Sequence, residues 1–227
     1  MITLTDNLPE SSEPNAEYIR LKCLYDCYKD DKDTLFWSQN WGEAYLSLAS
    51  GDMTVFCENG DINEIKEFIS VISPQSIFGS LKVLERIGLK DIHSVFVMSR
   101  KADILGETAG DSLKSREIYD ILNVKEFSLP EYPYFAVDFC RRLNRGFADY
   151  FAIKDKCAAI SFHTGNYALL NGIVSREKGL GTVALRAILQ KNYGRELIVC
   201  CEENLIGFYE KNGFFKRYKA GYWCKQA

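Results

Sequence analysis

Arg176-Glu177-Lys178-Gly179-Leu180-Gly181 stands between an apolar, strand-like run, Tyr167 to Val174, and a helical run that begins at Thr182. A strand, a short glycine-bearing turn and a helix together offer anion binding. The first turn of a helix leaves backbone N–H groups without partners, and the macrodipole adds partial positive charge. Glycines at 179 and 181 let a ligand come close to the main chain. A pyrophosphate fits such a site. Leu180, Val183, Ala184, Ala187 and Ile188 recur at i, i+3, i+4, i+7 and i+8, so the helix has one inward face and an open N-terminus. The six residues lack the Gly-Lys-Ser/Thr ending of a nucleotide P-loop and the G-x-G-x-x-G order, so a packing turn stands as the alternative reading.

Two further features follow downstream. Glu196 to Cys201 is a short apolar strand, and after it comes Asn204-Leu205-Ile206-Gly207-Phe208-Tyr209-Glu210-Lys211-Asn212-Gly213-Phe214. Arg176 to Gly181 resembles the R/Q-x-x-G-x-G/A pyrophosphate loop of the GNAT superfamily of acyl-CoA-dependent N-acyltransferases. Asn204 with Phe208 to Phe214 resembles that superfamily's second motif, Asn followed by F-Y-x-x-x-G-F. The two motifs lie between Arg176 and Phe214, and the resemblance extends from about residue 130 to the end.

The resemblance implies an α+β fold: a mixed, largely antiparallel sheet flanked by helices, with the acyl-CoA N-acyltransferase arrangement in the C-terminal half. It implies acetyl-CoA as cosubstrate and direct attack by an amine of a small molecule, amino acid or peptide. In these terms the amides of Lys178, Gly179, Leu180, Gly181 and Thr182 take the pyrophosphate, with the Arg176 charge and the Thr182 hydroxyl beside them. An amide next to Ile173 or Val174 reaches the thioester carbonyl. Tyr209 occupies the place of a tyrosine general acid, with a core aromatic as the alternative. Asn204 caps the helix at Leu205 and hydrogen-bonds near the coenzyme. The chain departs from many family members in lacking a Pro-Glu-Tyr-type spacer, since Val174-Ser175 runs straight into Arg176. Glu202, Glu203 and Asp138 are candidates for the base, against the reading that they are solvated charges. A coenzyme-A-binding regulatory module without turnover is the rival function.

The chain also resembles itself. Val83-Leu84-Glu85-Arg86-Ile87-Gly88-Leu89 matches Phe208 to Phe214 at a distance of 125 residues, and the strand Val95 to Met98 falls near Ala220 to Trp223 at the same distance. The earlier copy has Glu58-Asn59-Gly60-Asp61 where the pyrophosphate loop belongs, and acidic residues repel phosphate. The expected organisation is a degenerate copy over 1–105, a linker over 106–130 and a catalytic copy over 131–227. Residues 1–16, with Pro9, Ser11, Ser12 and Pro14, read as a loosely attached leader. The helices expected in order are 17–28, 62–72 behind an Asp61 cap, 81–87 ended by Gly88, 115–122 and one running to about Asn144. Strands are expected at 43–48, 53–57, 77–78, 94–98, 147–153 and 157–162, with an aromatic strand or hairpin over 214–224.

Composition bounds the partners. A 227-residue chain with 47% hydrophobic and 26% charged residues reads as globular. A net charge of −3 without a basic block gives no footprint for nucleic acid, and suits a cationic small substrate. No apolar run approaches the roughly 20 residues of a membrane span, and the N-terminus lacks signal-peptide character, so the protein reads as cytoplasmic. Eight cysteines without a C-x-x-C pair, and only His93 and His163, argue against zinc. The thiols read as reduced core residues, Cys23 and Cys27 one helical turn apart among them.

Overall fold

The computed structural model describes residues 1–10, 13–39, 43–104, 106, 108–125, 127 and 129–225. Ser11 and Ser12 of the leader, Leu105 just before the expected linker, and Glu107, Glu126 and Ser128 within it lie outside the described residues. The chain divides into two compact units, one formed by Met1–Ser99 with Cys200–Ala227 and the other by Arg100–Val199.

The first unit opens with β1 (Ile2–Leu4), antiparallel to β2 (Thr34–Gln39). Between them runs α1 (Ala16–Tyr28). The leader is therefore tied down: Ile2 to Leu4 join the sheet, Leu8 is buried, and the Tyr18 hydroxyl donates to the Pro9 carbonyl at 2.6 Å. Strand β2 pairs antiparallel with β3 (Ala44–Ala49), and β3 with β4 (Asp52–Cys57). The β3–β4 hairpin turns on Ser50 and Gly51, whose φ values of 52° and 86° match the right-handed twist of the flanking strands. Helix α2 (Ile62–Ile72) then crosses over to β5 (Ser76–Ser80), which lies parallel to β4. Helix α3 (Leu81–Ile87) ends at Gly88, where φ is 90°, and β6 (His93–Lys101) follows.

Side-chain alternation decides what each face of this sheet covers. Trp37, Leu46 and Val55 face the layer of α2 and α3 and pack with Ile65, Ile69, Val83 and Leu84. Their neighbours Phe36 and Tyr45 face α1 and pack with Tyr18, Leu21 and Tyr25. Strand β2 was not expected from its sequence. Both of its faces are covered at its centre, and Phe36-Trp37 therefore breaks the apolar–polar alternation of a half-buried strand.

The second unit carries α4 (Ser115–Leu122) and α5 (Tyr132–Asn144), then β7 (Ala148–Ile153), β8 (Cys157–Thr164) and β9 (Tyr167–Ser175). Helix α6 (Leu180–Lys191) leads to β10 (Glu196–Cys201). The strand order is β10-β9-β8-β7, with β10 parallel to β9 and the other pairs antiparallel. Nearly every residue of β8 is buried, so both of its faces are covered, and α4 and α6 both pack on it. The segment expected as a linker contains α4, and Gly110 lies so close to the Phe151 ring that an added Cβ would come within 2.8 Å of it.

The last segment belongs to the first unit. After β10 a 3-10 turn (Glu203–Leu205) runs into α7 (Ile206–Lys211), and β11 (Phe215–Cys224) inserts antiparallel between β5 and β6, with a register slip between Lys216 and Tyr218. The element order β2-β3-β4-α2-β5-α3-β6 thus recurs as β7-β8-β9-α6-β10-α7-β11. In both copies a helix crosses over between two parallel strands, β4 and β5 or β9 and β10. No helix among the described residues is long and apolar enough to cross a membrane.

Candidate functional site

The expected anion loop lies in the second unit, between the end of β9 and the start of α6. Gly179 is the N-cap of α6 with φ 91° and ψ −27°, a left-handed conformation in which a side chain is strained, although a Cβ there would meet nothing within 4 Å. Arg176, Glu177, Lys178 and Gly179 are exposed, and Leu180, Gly181 and Thr182 are half-buried. The turn is closed by the Leu180 N–H to the Glu177 carbonyl at 3.3 Å, and by the N–H groups of Thr182 and Val183 to the Gly179 carbonyl at 3.1 and 3.3 Å. The amides of Leu180 and Thr182 are thus already engaged, weakly, within the loop. The Ser175 hydroxyl donates to the Glu177 carbonyl at 2.7 Å and fixes the exit from the strand.

Arg176 is held by backbone carbonyls. Its Nη2 donates to the Asp120 carbonyl at 2.9 Å and its Nη1 to the Asp155 carbonyl at 3.4 Å, while its own N–H donates to the Lys156 carbonyl at 2.8 Å. The guanidinium clamps the loop to the end of α4 and the β7–β8 turn. Lys178, the other cation of the loop, is exposed.

Upstream, β9 opens an edge. Its parallel ladder with β10 runs from Tyr167 opposite Glu196 to Leu170 opposite Val199 and ends there. Against β8 the register slips at the same place: Ser161 faces Leu170 and Ile160 faces Gly172, which leaves Asn171 as a bulge. Ile173 and Val174, both half-buried, lie beyond that bulge. Adjacent residues of an antiparallel strand turn their N–H groups to opposite edges. One of these two amides therefore faces β8 and the other faces the open edge. Gly172 is required by packing, because a Cβ there would lie 2.8 Å from the Phe127 ring.

The counterpart in the first copy is closed by its own side chains. The Asp61 carboxylate accepts the N–H groups of Asn63 at 2.9 Å and Glu64 at 3.3 Å. The Asp61 N–H donates to Gln39 Oε1 at 2.8 Å, and Gln39 Nε2 donates to the Asp61 carbonyl at 3.1 Å and to Glu64 at 2.6 Å. A carboxylate already occupies the place an anion would take. Gln39 also presses on Gly60, where a Cβ would fall 2.4 Å from its oxygen.

Asn204 and Tyr209 lie in the first unit. Asn204 does not cap the helix: it is exposed, in the middle of the 3-10 turn, and the N-cap position of α7 is Leu205, with no side-chain cap. The chain enters α7 through that turn, where the Leu205 N–H bonds the Glu202 carbonyl at 3.0 Å, so no separate cap is needed. Tyr209 is buried between Phe208 and Phe214, with ring centroids at 5.1 and 5.4 Å. Burial, and then the thiols of Cys201 and Cys200, hold its phenol above the ordinary range, so it is neutral at pH 7. Of the carboxylates considered as base, Asp138 accepts from Arg142 at 2.9 Å one turn along α5, and Glu202 lies 2.6 Å from His93. A buried carboxyl at Glu17 and a ring-stacked Arg20, both on α1, had no signal in the sequence, because their partners on β11 are about 200 residues away.

All eight cysteines are free thiols. Among the described residues no group of three or more His, Cys, Asp and Glu side chains could hold a metal ion.

Neither a protein-family model nor a curated protein matches the sequence significantly. Solved structures match it in shape. A GCN5-related N-acetyltransferase from Sphaerobacter thermophilus superposes with a TM-score of 0.55 at 10% identity, over 91% of this chain and 90% of that one. A tandem GNAT protein from the clavulanic acid biosynthesis pathway gives 0.53 at 13% identity, over 96% of this chain and 89% of the other. At such identities the likeness is one of fold. The two copies of the strand–helix order, each with its parallel pair and crossover helix, are the fold of the GNAT acyl-CoA N-acyltransferases.

Proposed function

We propose that this protein is an acyl-CoA-dependent N-acetyltransferase in which residues 131–227 form the catalytic copy, 1–105 the degenerate one and 106–130 the segment between. The observation that carries this reading is the end of β9: an open strand edge beyond the Asn171 bulge, followed within a few residues by the left-handed Gly179 and an N-terminus of α6 that no side chain caps. A thioester whose pyrophosphate lay at Gly179 to Thr182, with Lys178 beside it, would run its pantetheine arm along that edge. The edge amide of Ile173 or Val174 would donate to the thioester carbonyl as negative charge develops there, an interaction worth about 3 kcal/mol.

The reaction is direct acyl transfer. A neutral amine nitrogen forms the C–N bond and gives up one of its protons, the tetrahedral intermediate breaks the C–S bond, and the thiolate takes a proton as it leaves, so that an N-acetyl amine and the free coenzyme thiol result. Tyr209, a buried and neutral phenol, is the proposed donor of that proton. The amine must first lose its own proton, because an alkylammonium of pKa about 10.4 is neutral only about once in a thousand at pH 7. Glu202, held by His93, is the carboxylate assigned to that task.

The test is to mix the purified protein with acetyl-CoA and a panel of amines and to follow thiol release and N-acetyl product. Acetylation of any amine supports the reading. Coenzyme binding with no transfer would favour the rival, a coenzyme-A-binding module, which has its own supporting observation in the burial of Tyr209 between two phenylalanines.

A further inference from the structure

In the first unit, α1 presents a cation to β11. The Arg20 guanidinium lies 5.0 Å from the Phe78 ring centroid and 5.8 Å from that of Tyr222, and these two rings pack 4.6 Å apart. Its hydrogen bond is a long one, Nη1 to the Tyr222 hydroxyl at 3.5 Å, and among the described residues no carboxylate pairs with it. Glu17, one turn earlier on the same helix, does not neutralise it. The Glu17 carboxyl accepts the Tyr218 hydroxyl, and Tyr218 in turn accepts the Ala16 N–H at 2.8 Å. Arg20 is half-buried, stacked and charged, and most of its planar fork of donors is unused. Removing a charge from water without a partner is costly, and the ring faces offset only part of that cost. Such a fork, held in one plane, recognises a carboxylate or phosphate by two parallel hydrogen bonds.

The opposite sign is on the same face. His93 stands across from Tyr222 in the β6–β11 register, so their side chains share that face, and His93 Nε2 holds Glu202 Oε1 at 2.6 Å. Arg20 reaches the Tyr222 hydroxyl at 3.5 Å, and Glu202 is held by His93, the residue opposite Tyr222. A guanidinium and a carboxylate tied to one strand pair complement a molecule that carries both an ammonium and a carboxylate.

We infer that Arg20 anchors the carboxylate of the acceptor, and that the substrate is therefore an amino acid or a peptide with a free carboxylate close to its reactive amine. This rests on the N-acetyltransferase reading above. The same fork could hold a phosphate of the coenzyme, and the experiment separates the two sources.

The test uses the full chain and pairs of probes that differ by one carboxylate: lysine against pentane-1,5-diamine, and phenylalanine against phenethylamine. KM is measured with acetyl-CoA, and binding of each probe is measured by calorimetry without it. The carboxylate-bearing probe of at least one pair is expected to be favoured by roughly 10- to 100-fold, the size of a charge-assisted pair. Arg20→Gln should collapse that ratio towards one, and Arg20→Lys, which keeps the charge and loses the fork, should keep part of it. Thermal melts show that the variants are folded, and if Arg20→Gln is not, Arg20→Lys carries the test. A ratio near one in every pair for the unaltered protein, or an unchanged ratio in a folded variant, overturns the inference. Loss of acetyl-CoA affinity in Arg20→Gln with the ratio retained places the fork on the coenzyme and also overturns it. If no amine is acetylated, the transferase reading falls, and calorimetry alone decides the anchor: amino-acid binding that Arg20→Gln abolishes supports it, and no binding overturns it.

Discussion

Gly179 and Asp61 hold the same position in the two copies, the residue just before the helix that follows the third strand, and do opposite things there. Gly179, at φ 91°, brings no side-chain cap to the first turn of α6, whose Thr182 and Val183 N–H groups turn back on its own carbonyl. Asp61, at φ −72°, turns its carboxylate back onto the Asn63 N–H at 2.9 Å and fills the first turn of α2 itself.

Placing a carboxylate in the open copy should therefore close it. Gly179→Asp and Gly181→Asp are expected to abolish acetyl-CoA binding while the protein stays folded. At 179 the added Cβ meets no neighbour, and only the left-handed backbone is strained, by roughly 1–2 kcal/mol. Gly179→Asn, which tolerates that backbone and brings no charge, should keep measurable binding. Calorimetry on the three variants checks this; binding that survives both aspartates removes the pyrophosphate-loop assignment.

In the closed copy the carboxylate is a cap. Asp61→Ala should lower stability by about 1 kcal/mol, the usual cost of losing an N-cap, and should leave acetyl-CoA affinity as it was. Chemical denaturation and titration of the variant read the two quantities separately.

Tyr209→Phe removes one oxygen from a ring that stays packed between Phe208 and Phe214. Turnover should fall by roughly 10²-fold with little change in coenzyme affinity if the phenol protonates the leaving thiolate. Unchanged turnover would return the residue to the core.

Cys200 and Cys201 should play no covalent part. Burial pushes their thiols up to about 12 and about 11, so both stay protonated throughout the neutral range, and the thiolate that would attack a thioester forms only well above it. Cys200→Ser and Cys201→Ser should mainly cost stability. Rapid quenching with acetyl-labelled coenzyme should leave no label on the protein, and retained label that Cys200→Ser removes would show an acyl-thiol intermediate.

What was legible in the sequence follows from how local each signal was. Helix α3 over Leu81–Ile87, α4 over Ser115–Leu122 and strand β10 over Glu196–Cys201 have the bounds their punctuation implies, Gly88 closing α3 with φ 90°. The 125-residue self-similarity is matched by a recurring element order. Strand β1 is not legible because three residues carry no period, and β2 because both of its faces are covered at its centre. The Asn204 cap failed because a 3-10 turn does its work. The charge of Arg176 is legible in the sequence, but its bonds to the carbonyls of Asp120 and Asp155 are not, because they come from segments 56 and 21 residues away. The insertion of β11 between β5 and β6, which brings Tyr222 to Arg20, is set by contacts across the length of the chain, and local pattern carries no trace of those.

The most direct measurement is a calorimetric titration of the whole protein with acetyl-CoA. One site per chain is expected, because no side chain caps the N-terminus of α6 and that of α2 is filled by Asp61. Two equivalent sites would contradict the degenerate copy, and no binding at all would reduce the loop from Arg176 to Gly181 to a packing turn and take the proposed function with it.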